Sequence, residues 1–530
     1  MFKSRALSCV LLLLLLVPLS VRGIQNYEPS FTGRVARAYS CALDSLGITP
    51  DALTFEKSWD TDQYRLSRIQ RCLDNPDALF SLSHSLYATA KTGTVEEIIS
   101  ELTAISAATQ SVFSIEKLLH YLVSEKKVLY DLYSDSICVS SQKWLTTAVL
   151  TSFSKLKSNR LILPDVLAAG ADKNVLDTTL AEIDSWLYAE EEDDLQSVKL
   201  LHQLPLEKIT GIARALESAL QTADYSTVNT LDTEYWKKKG ILLGSAGSDN
   251  YSNSSYWCII DPGGNDLYSS TVGFAGMAPN KPLSIIIDLE GNDVYRSGAC
   301  GGPGSAILGV SLLSDRNGND MYIGGAVSQG AAIGGAGILH DSSGRDYYRA
   351  LQYSQGMGFF GLGALIDDSG SDTYEISNSG QGYGSVLGYG ILCDSQGNDL
   401  YSAGRSQPDH GRYGDRFISL SQGVGIGMRP YASGGIGALI DRSGNDVYIA
   451  DVFGQGVGYW YSFGMLIDLS GQDTYQMYEY GQGAGIHLAC GTLLDGNGND
   501  VYTLRNGIGQ GASHDFALGY LRDYSGNDQY

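Results

Sequence analysis

The sequence has little proline, methionine, tryptophan or cysteine (12, 7, 6 and 8 of 530 residues), and its basic residues are outnumbered 36 to 59 by acidic ones. Eight cysteines in so long a chain exclude a disulfide-dense scaffold. The formal charge of −23 disfavours a nucleic-acid backbone or an anionic membrane surface as partner, since both would be repelled. Long apolar runs are also missing, with one exception at the N-terminus. There Lys3 and Arg5 precede the stretch Leu11–Leu16, Pro18 interrupts it, and Val21-Arg22-Gly23 closes it. Residues 1–23 read as a secretory signal peptide cut near Gly23, so the expected location is periplasmic, cell-surface or extracellular, with no membrane span left after cleavage. No nucleophile elbow, zinc-binding helix motif or phosphate loop occurs.

What is present falls into two regions, an α+β multidomain organisation. Over residues 24–239 apolar positions recur three and four apart, as in Val95–Leu132 and Leu195–Leu220, the pattern of amphipathic helices packed on one another. His84, His120 and His202 are scattered, and no catalytic constellation emerges. Cys41 and Cys72 lie at a spacing that two antiparallel helices could bridge, and Cys138 has no evident partner. The expected role of this all-α domain is to cap the first coil of the repeat that follows.

From about Gly240 the composition turns to glycine, asparagine, aspartate and tyrosine. Ten copies of Asp-x-x-Gly-x-Asp-x-Tyr have their first Asp at 261, 288, 315, 341, 367, 394, 441, 468, 495 and 523, a period of about 27 with one step of 47. The residue two before each first Asp is Ile or Leu, as an inward ladder of a strand requires. The turn Gly predicts a left-handed backbone, the Tyr a stack from coil to coil, and a recurring Gln-Gly (Gln329 to Gln510) a ladder of amides. A parallel β-helix of about ten coils over residues 240–530 follows, rising roughly 48 Å at about 4.8 Å per coil. Cys258, Cys300, Cys393 and Cys490 are too far apart in such a stack to bridge, and read as small apolar residues. The repeat runs to Tyr530, so a protein docking on an open last coil is one expected partner.

The turn Gly291-Asn292-Asp293-Val294-Tyr295 and its equivalents resemble the second half of the glycine-rich nonapeptide of hemolysin-type (RTX) calcium-binding proteins, which are secreted parallel β-rolls. The resemblance covers five to eight residues per unit; the period is about 27 and not nine, and Asp-x usually replaces the leading Gly-Gly. It implies Ca²⁺ on Asp261, Asp266, Asp288, Asp293, Asp315, Asp320, Asp441, Asp446, Asp468, Asp473, Asp495 and Asp500. Independently, two columns of carboxylates about 4.8 Å apart repel unless cations, hydrogen bonds or solvent offset the charge. Aspartate and asparagine also cap turn N–H groups without any metal, so the residues leave both readings open.

Function is expected where the repeat breaks. The long step holds an insertion at about 404–423, with Arg405, Asp409, His410, Arg412, Asp415 and Arg416. Trp460, His487 and Asp515 fall at one offset in three successive coils and predict a column, with His514 beside Asp515 and with His410 or Arg412 folding over it. A His beside an Asp suits a general base, an indole suits a sugar platform, and His487, His514 and Asp515 suit a transition metal. Two functions follow as expectations: an exported acidic structural or ligand-binding protein, calcium-binding through its turns, or a carbohydrate-active β-helix enzyme, a polysaccharide lyase or hydrolase, with His410, His487 and Asp515 as catalytic candidates and Arg412, Trp460 and His514 as ligand contacts.

Overall fold

The computed structural model describes residues 62–105, 113–137, 194–252, 255–276, 281–405, 407–409 and 411–530. The expected signal segment, Cys41, Cys138 and His410 lie outside them.

The repeat forms a parallel β-solenoid of about ten coils. Strands that end on the first Asp of each turn pair in order from Ile241–Leu243 to Leu518–Asp523, all parallel. Their register puts each first Asp opposite the next, as in Asp261↔Asp288 and Asp394↔Asp441. Strands that carry the Tyr make a second parallel sheet, with Tyr268↔Tyr295 and Tyr401↔Tyr448 in register. A short third sheet joins 425–426, 458–459, 485–486 and 513–514.

Between the first two sheets the predicted ladders meet. Ile259, Ile286, Leu313 and their equivalents pack on a column of tyrosines from Tyr251 to Tyr502. The rings, continuing to Tyr530, stack at centroid separations of 4.6–4.9 Å. From Tyr251 to Tyr502 each hydroxyl donates to Oδ2 of the first Asp one coil on, as Tyr268 to Asp288 at 2.6 Å, Tyr348 to Asp367 at 2.8 Å and Tyr448 to Asp468 at 2.8 Å. A buried phenol needs such a partner, and this one ties neighbouring coils together.

Two expectations are corrected in mechanism. Of the ten turn glycines only Gly264 has a positive φ, +144°. The others are required by space: a Cβ on Gly344 would stand 2.1 Å from the Gly318 carbonyl and 2.6 Å from the Asp346 carboxylate. The glutamines do not pair amide to amide. Gln329 Nε2 donates to the Tyr322 carbonyl in its own coil (2.8 Å) and to the Arg349 carbonyl in the next (2.9 Å), and Gln355 and Gln455 do the same. Here the left-handed conformation belongs to the glutamines themselves, with φ from 50° to 65°.

Seven α-helices occur among the described residues: α1 (Ser67–Asp74), α2 (Pro76–Thr92), α3 (Val95–Thr103), α4 (Ile115–Ser136), α5 (Asp194–Leu201), α6 (Leu206–Thr222) and α7 (Thr233–Lys238). Local signals set their ends: Asn75 caps α2 with Pro76 following, and Thr94 and Glu97 form a capping box on α3. Among the described helices, α7 meets the first strand, where a cap was expected, and Lys126 of α4 lies over Trp257 beside it. The rest lie along the side of the first sheet: α6 on strands 310–315, 332–341 and 358–367, α3 on 388–394, α1 and α2 on 490–495. The reason is in the strands, whose alternate residues (Ile287, Leu312, Ile338, Ile391, Met465, Leu494) point away from the Tyr column and bury against Leu118, Leu122, Leu201 and Leu216. Cys72 of α1 lies beside Cys490; Cys258 and Cys393 are buried and unbridged, as expected for small apolar residues.

Polar contacts fasten this layer. Tyr133 donates to the carbonyls of Gly309 and Gly334 at 3.2 and 3.0 Å. His340 points outward from its strand and is held by Glu217 (2.9 Å), Gln221 (2.7 Å) and Asp368 (3.0 Å). Burial alone would lower its pKa, but the bonds to Asp368 and Glu217 outweigh that and raise it to about 9.

The glycine argument predicts a contrast. Gly344→Ala should destabilise the protein by about 1–3 kcal/mol through overpacking. Gly414→Ala, where nothing lies within 4 Å of the new carbon, should stay within about 0.5 kcal/mol. Denaturant unfolding of both variants measures the difference.

Candidate functional site

The long step between Tyr401 and Asp441 is two inserted segments. Gln follows Tyr by seven residues in Tyr374–Gln381 and Tyr448–Gln455 but by 21 in Tyr401–Gln422, and Asp follows Gln by 13 in Gln381–Asp394 but by 19 in Gln422–Asp441. The coil itself is undisturbed, since Tyr401 still stacks on Tyr448 at 4.9 Å and donates to Asp441 at 2.8 Å.

The first segment folds back over later coils. Its neck is a Pro408↔Phe417 bridge, and the Asp409 N–H donates to the Arg416 carbonyl at 2.8 Å. Arg412 pairs with Asp409 at 2.7 Å and lies over the rings of Phe453 and Tyr480, at 4.8 and 4.9 Å. Arg416 lies over Tyr478 at 4.4 Å, and Asn506 donates to the Tyr413 hydroxyl at 3.0 Å. These contacts satisfy the segment internally and against its floor, which makes it a brace. Arg412 does not reach the predicted column.

The column forms, with one substitution of neighbours. Strand 485–486 pairs with 458–459 and with 513–514, which aligns Trp460, His487 and Asp515. His487 Nδ1 is 2.9 Å from Asp515 Oδ2, and His514 Nε2 is 3.7 Å from Asp515 Oδ1. On its other side His487 meets the edge of Tyr459 at 5.1 Å. The Trp460 indole instead turns to Tyr461 (5.2 Å) and to Arg429 (5.3 Å), which comes from the second inserted segment. Burial, then the Arg429 charge, lowers the His487 pKa despite Asp515. Trp460, Tyr461, His487, Leu488, Asp515 and Phe516 all have φ between 47° and 63°, a conformation costly for bulky side chains.

Sequence reasoning missed Arg429, Tyr459, Tyr431 and Phe516. Tyr431 and Phe516 are among the few exposed large apolar side chains of the described residues, at 41% and 51%. Phe516 follows Asp515 directly and was within reach of the same alignment; the second segment was hidden because both insertions sum into one long step.

The acidic turns were the other candidate site. Every first Asp is buried except Asp523; Oδ2 takes the Tyr hydroxyl, and Oδ1 accepts a turn N–H, as Asp315 does from Asn317, except in Asp288 and Asp495. The second Asp accepts the N–H of its counterpart one coil back on Oδ1, at 2.6 Å for Asp266→Asp293, Asp293→Asp320 and Asp399→Asp446. Asparagines before the second Asp accept the next coil's N–H in the same way, as Asn292 does from Asn319. Capping and the Tyr bond thus account for three of the four carboxylate oxygens in most turns, and for two in the turns of Asp288 and Asp495. Oδ2 of the second Asp is buried and without a hydrogen-bond partner in nine turns, Asp266 to Asp500. Carboxylate oxygens from Asp266, Asp288 and Asp293, and from the equivalent triplets, lie within 4.8 Å of one another. The donors suit Ca²⁺ in kind, but one or two disengaged oxygens per turn are few for an ion that takes six to eight. Protonation of Oδ2 is the alternative that needs no ion, and burial favours it. Burial, with the charge of neighbouring carboxylates, pushes Asp293 up to about 7, Asp320 to about 8 and Asp346 to about 9.

No family model, no curated protein and no solved structure matches this chain.

Two outcomes are expected. Arg412→Ala should speed amide exchange across residues 405–417 with little change in global melting, because the brace is local. Carboxyls whose folded pKa is raised contribute stability that is complete below their ordinary value near 3.8 and lost as pH rises through about 7–9. In a His340→Gln background, which removes the imidazole's own contribution, the melting temperature should fall from pH 5 to pH 9 and ignore added CaCl₂. A calcium-dependent rise at pH 8, with calcium found by elemental analysis, would establish the metal in place of the proton.

Proposed function

We propose that this protein is an exported binding scaffold that holds a neutral carbohydrate on the side of its last coils. The observation that carries the reading is the clustering of rings and hydrogen-bonding groups at one corner, Tyr459, Trp460, Arg429, His487, His514 and Asp515, with the exposed Phe516 next to Asp515 in the chain and Tyr431 two residues from Arg429. Sugar rings stack their C–H faces on aromatic faces, while hydroxyls need planar donors and acceptors at the rim. Charge selects among ligands. The chain as a whole carries −23, yet here Arg429 and Asp515 offset each other, so an uncharged polyhydroxylated ligand is neither attracted nor repelled. The solenoid supplies a rigid support, and the signal-like N-terminus supplies the route to an extracellular glycan.

Binding to neutral glucan, xylan and mannan, with polygalacturonate for comparison, tests this by affinity electrophoresis and calorimetry. Trp460→Ala and Phe516→Ala should each weaken the preferred neutral glycan at least fivefold, and Arg412→Ala should not. No binding, or binding indifferent to both aromatic changes, would overturn the reading. The His487–Asp515 contact favours a second reading, a polysaccharide lyase or hydrolase in which Asp515 orients His487 as a base. Product release from the bound glycan that is abolished by His487→Ala would establish it.

A further inference from the structure

His487 and His514 come from successive coils and are placed by the register Ile486↔His514. Backbone bonds lock the pair: the His487 N–H donates to the His514 carbonyl at 2.9 Å, and the Leu488 N–H to the Asp515 carbonyl at 3.0 Å. One ligating atom from each of His487, His514 and Asp515 lies within 4.8 Å of the other two. We infer that these three residues form a binding site for a nitrogen-preferring divalent metal ion, Zn²⁺ in first place, with a coordination position open to solvent.

Geometry is the first support. Zinc bonds to nitrogen and carboxylate oxygen of about 2.0–2.1 Å require tetrahedral edges of about 3.3–3.4 Å. His487 Nδ1 stands 2.9 Å from Oδ2 of Asp515 and His514 Nε2 3.7 Å from its Oδ1, distances near that length but to different oxygens, so a rotation of the carboxylate is what brings one oxygen to both rings. Donor chemistry is the second. Two imidazoles and one carboxylate suit zinc and its neighbours in the first transition row, whereas calcium and magnesium take oxygen sets such as those in the turns.

Exposure gives the third support. The side chains of His487, His514 and Asp515 are 17%, 40% and 57% exposed, so the cluster opens outward and leaves a fourth vertex to water or ligand. Three protein ligands with one open position are the pattern of a working site and not of a closed structural one. The fourth concerns orientation. Nδ1 of His514 is buried, and Nε2 is the ring nitrogen that faces Asp515, so it is the one placed to meet an ion. The site does not rest on carbohydrate binding. Zinc at the open vertex and a glycan on the surrounding rings are separate events, and either can fail alone.

The test uses the untagged mature chain. Titration calorimetry with ZnCl₂ in the presence of excess CaCl₂, elemental analysis after dialysis and visible absorption after Co²⁺ loading should give one ion per chain with the intense bands of a four-coordinate centre. His487→Ala, His514→Ala and Asp515→Asn should each weaken Zn²⁺ binding at least tenfold while His120→Ala leaves it unchanged. Should a variant unfold, the wild type still decides: zinc should protect His514 from acylation by diethyl pyrocarbonate. No bound zinc, affinity kept within twofold in all three variants, or no protection of His514 would overturn the site.

Discussion

The structure depends on a hydrogen bond repeated between coils, in which a buried tyrosine hydroxyl donates to the first aspartate of the next turn. It settles two costs at once, the phenol that would otherwise be dry and unpaired and the carboxylate that would otherwise stand charged in an apolar interior. Ring stacking at 4.6–4.9 Å follows from the strand spacing, and the Ile/Leu ladder fills the opposite wall. Most of the acidity of the repeat is therefore interior chemistry, and the surface has less negative character than the composition suggests.

Placing so many carboxylates indoors shapes the rest of the molecule. The first sheet is apolar on both faces, one toward the tyrosines and one toward the helices, so the helical layer is part of the core and not an accessory. His340 shows how the layers communicate: a strand residue turned outward, held between a helix glutamate and the aspartate that follows the next coil's first Asp. Functional surface is left mainly at the edges and corners of coils, where inserted segments and left-handed residues break the pattern.

Much of this was legible in the residues. Period, strand positions, the inward Ile/Leu and the stacked Tyr all follow from fixed offsets, and offsets survive translation into space because each coil is one period. The alignment of His487 with Asp515 was readable for the same reason. What was not readable depended on direction within the coil. The turn glycines answer to a carbonyl of the preceding coil, which a single repeat does not display. The side-on position of the helices depends on which strand face is buried twice, and the reach of Arg412 depends on where a loop falls. Neither Arg429 over Trp460 nor Tyr459 against His487 follows from spacing alone.

The bond from Tyr401 to Asp441 spans 40 residues where its neighbours span 19 or 20, with no change in stacking. The columns recognise what stands beside them and take no account of how much chain lies between. Growth of the protein is thereby decoupled from its assembly: new sequence can enter at a corner, acquire contacts and be selected for them while the interior keeps its register. The inserted segments, and the ring-lined corner beside the second of them, have the form of an acquisition made on those terms.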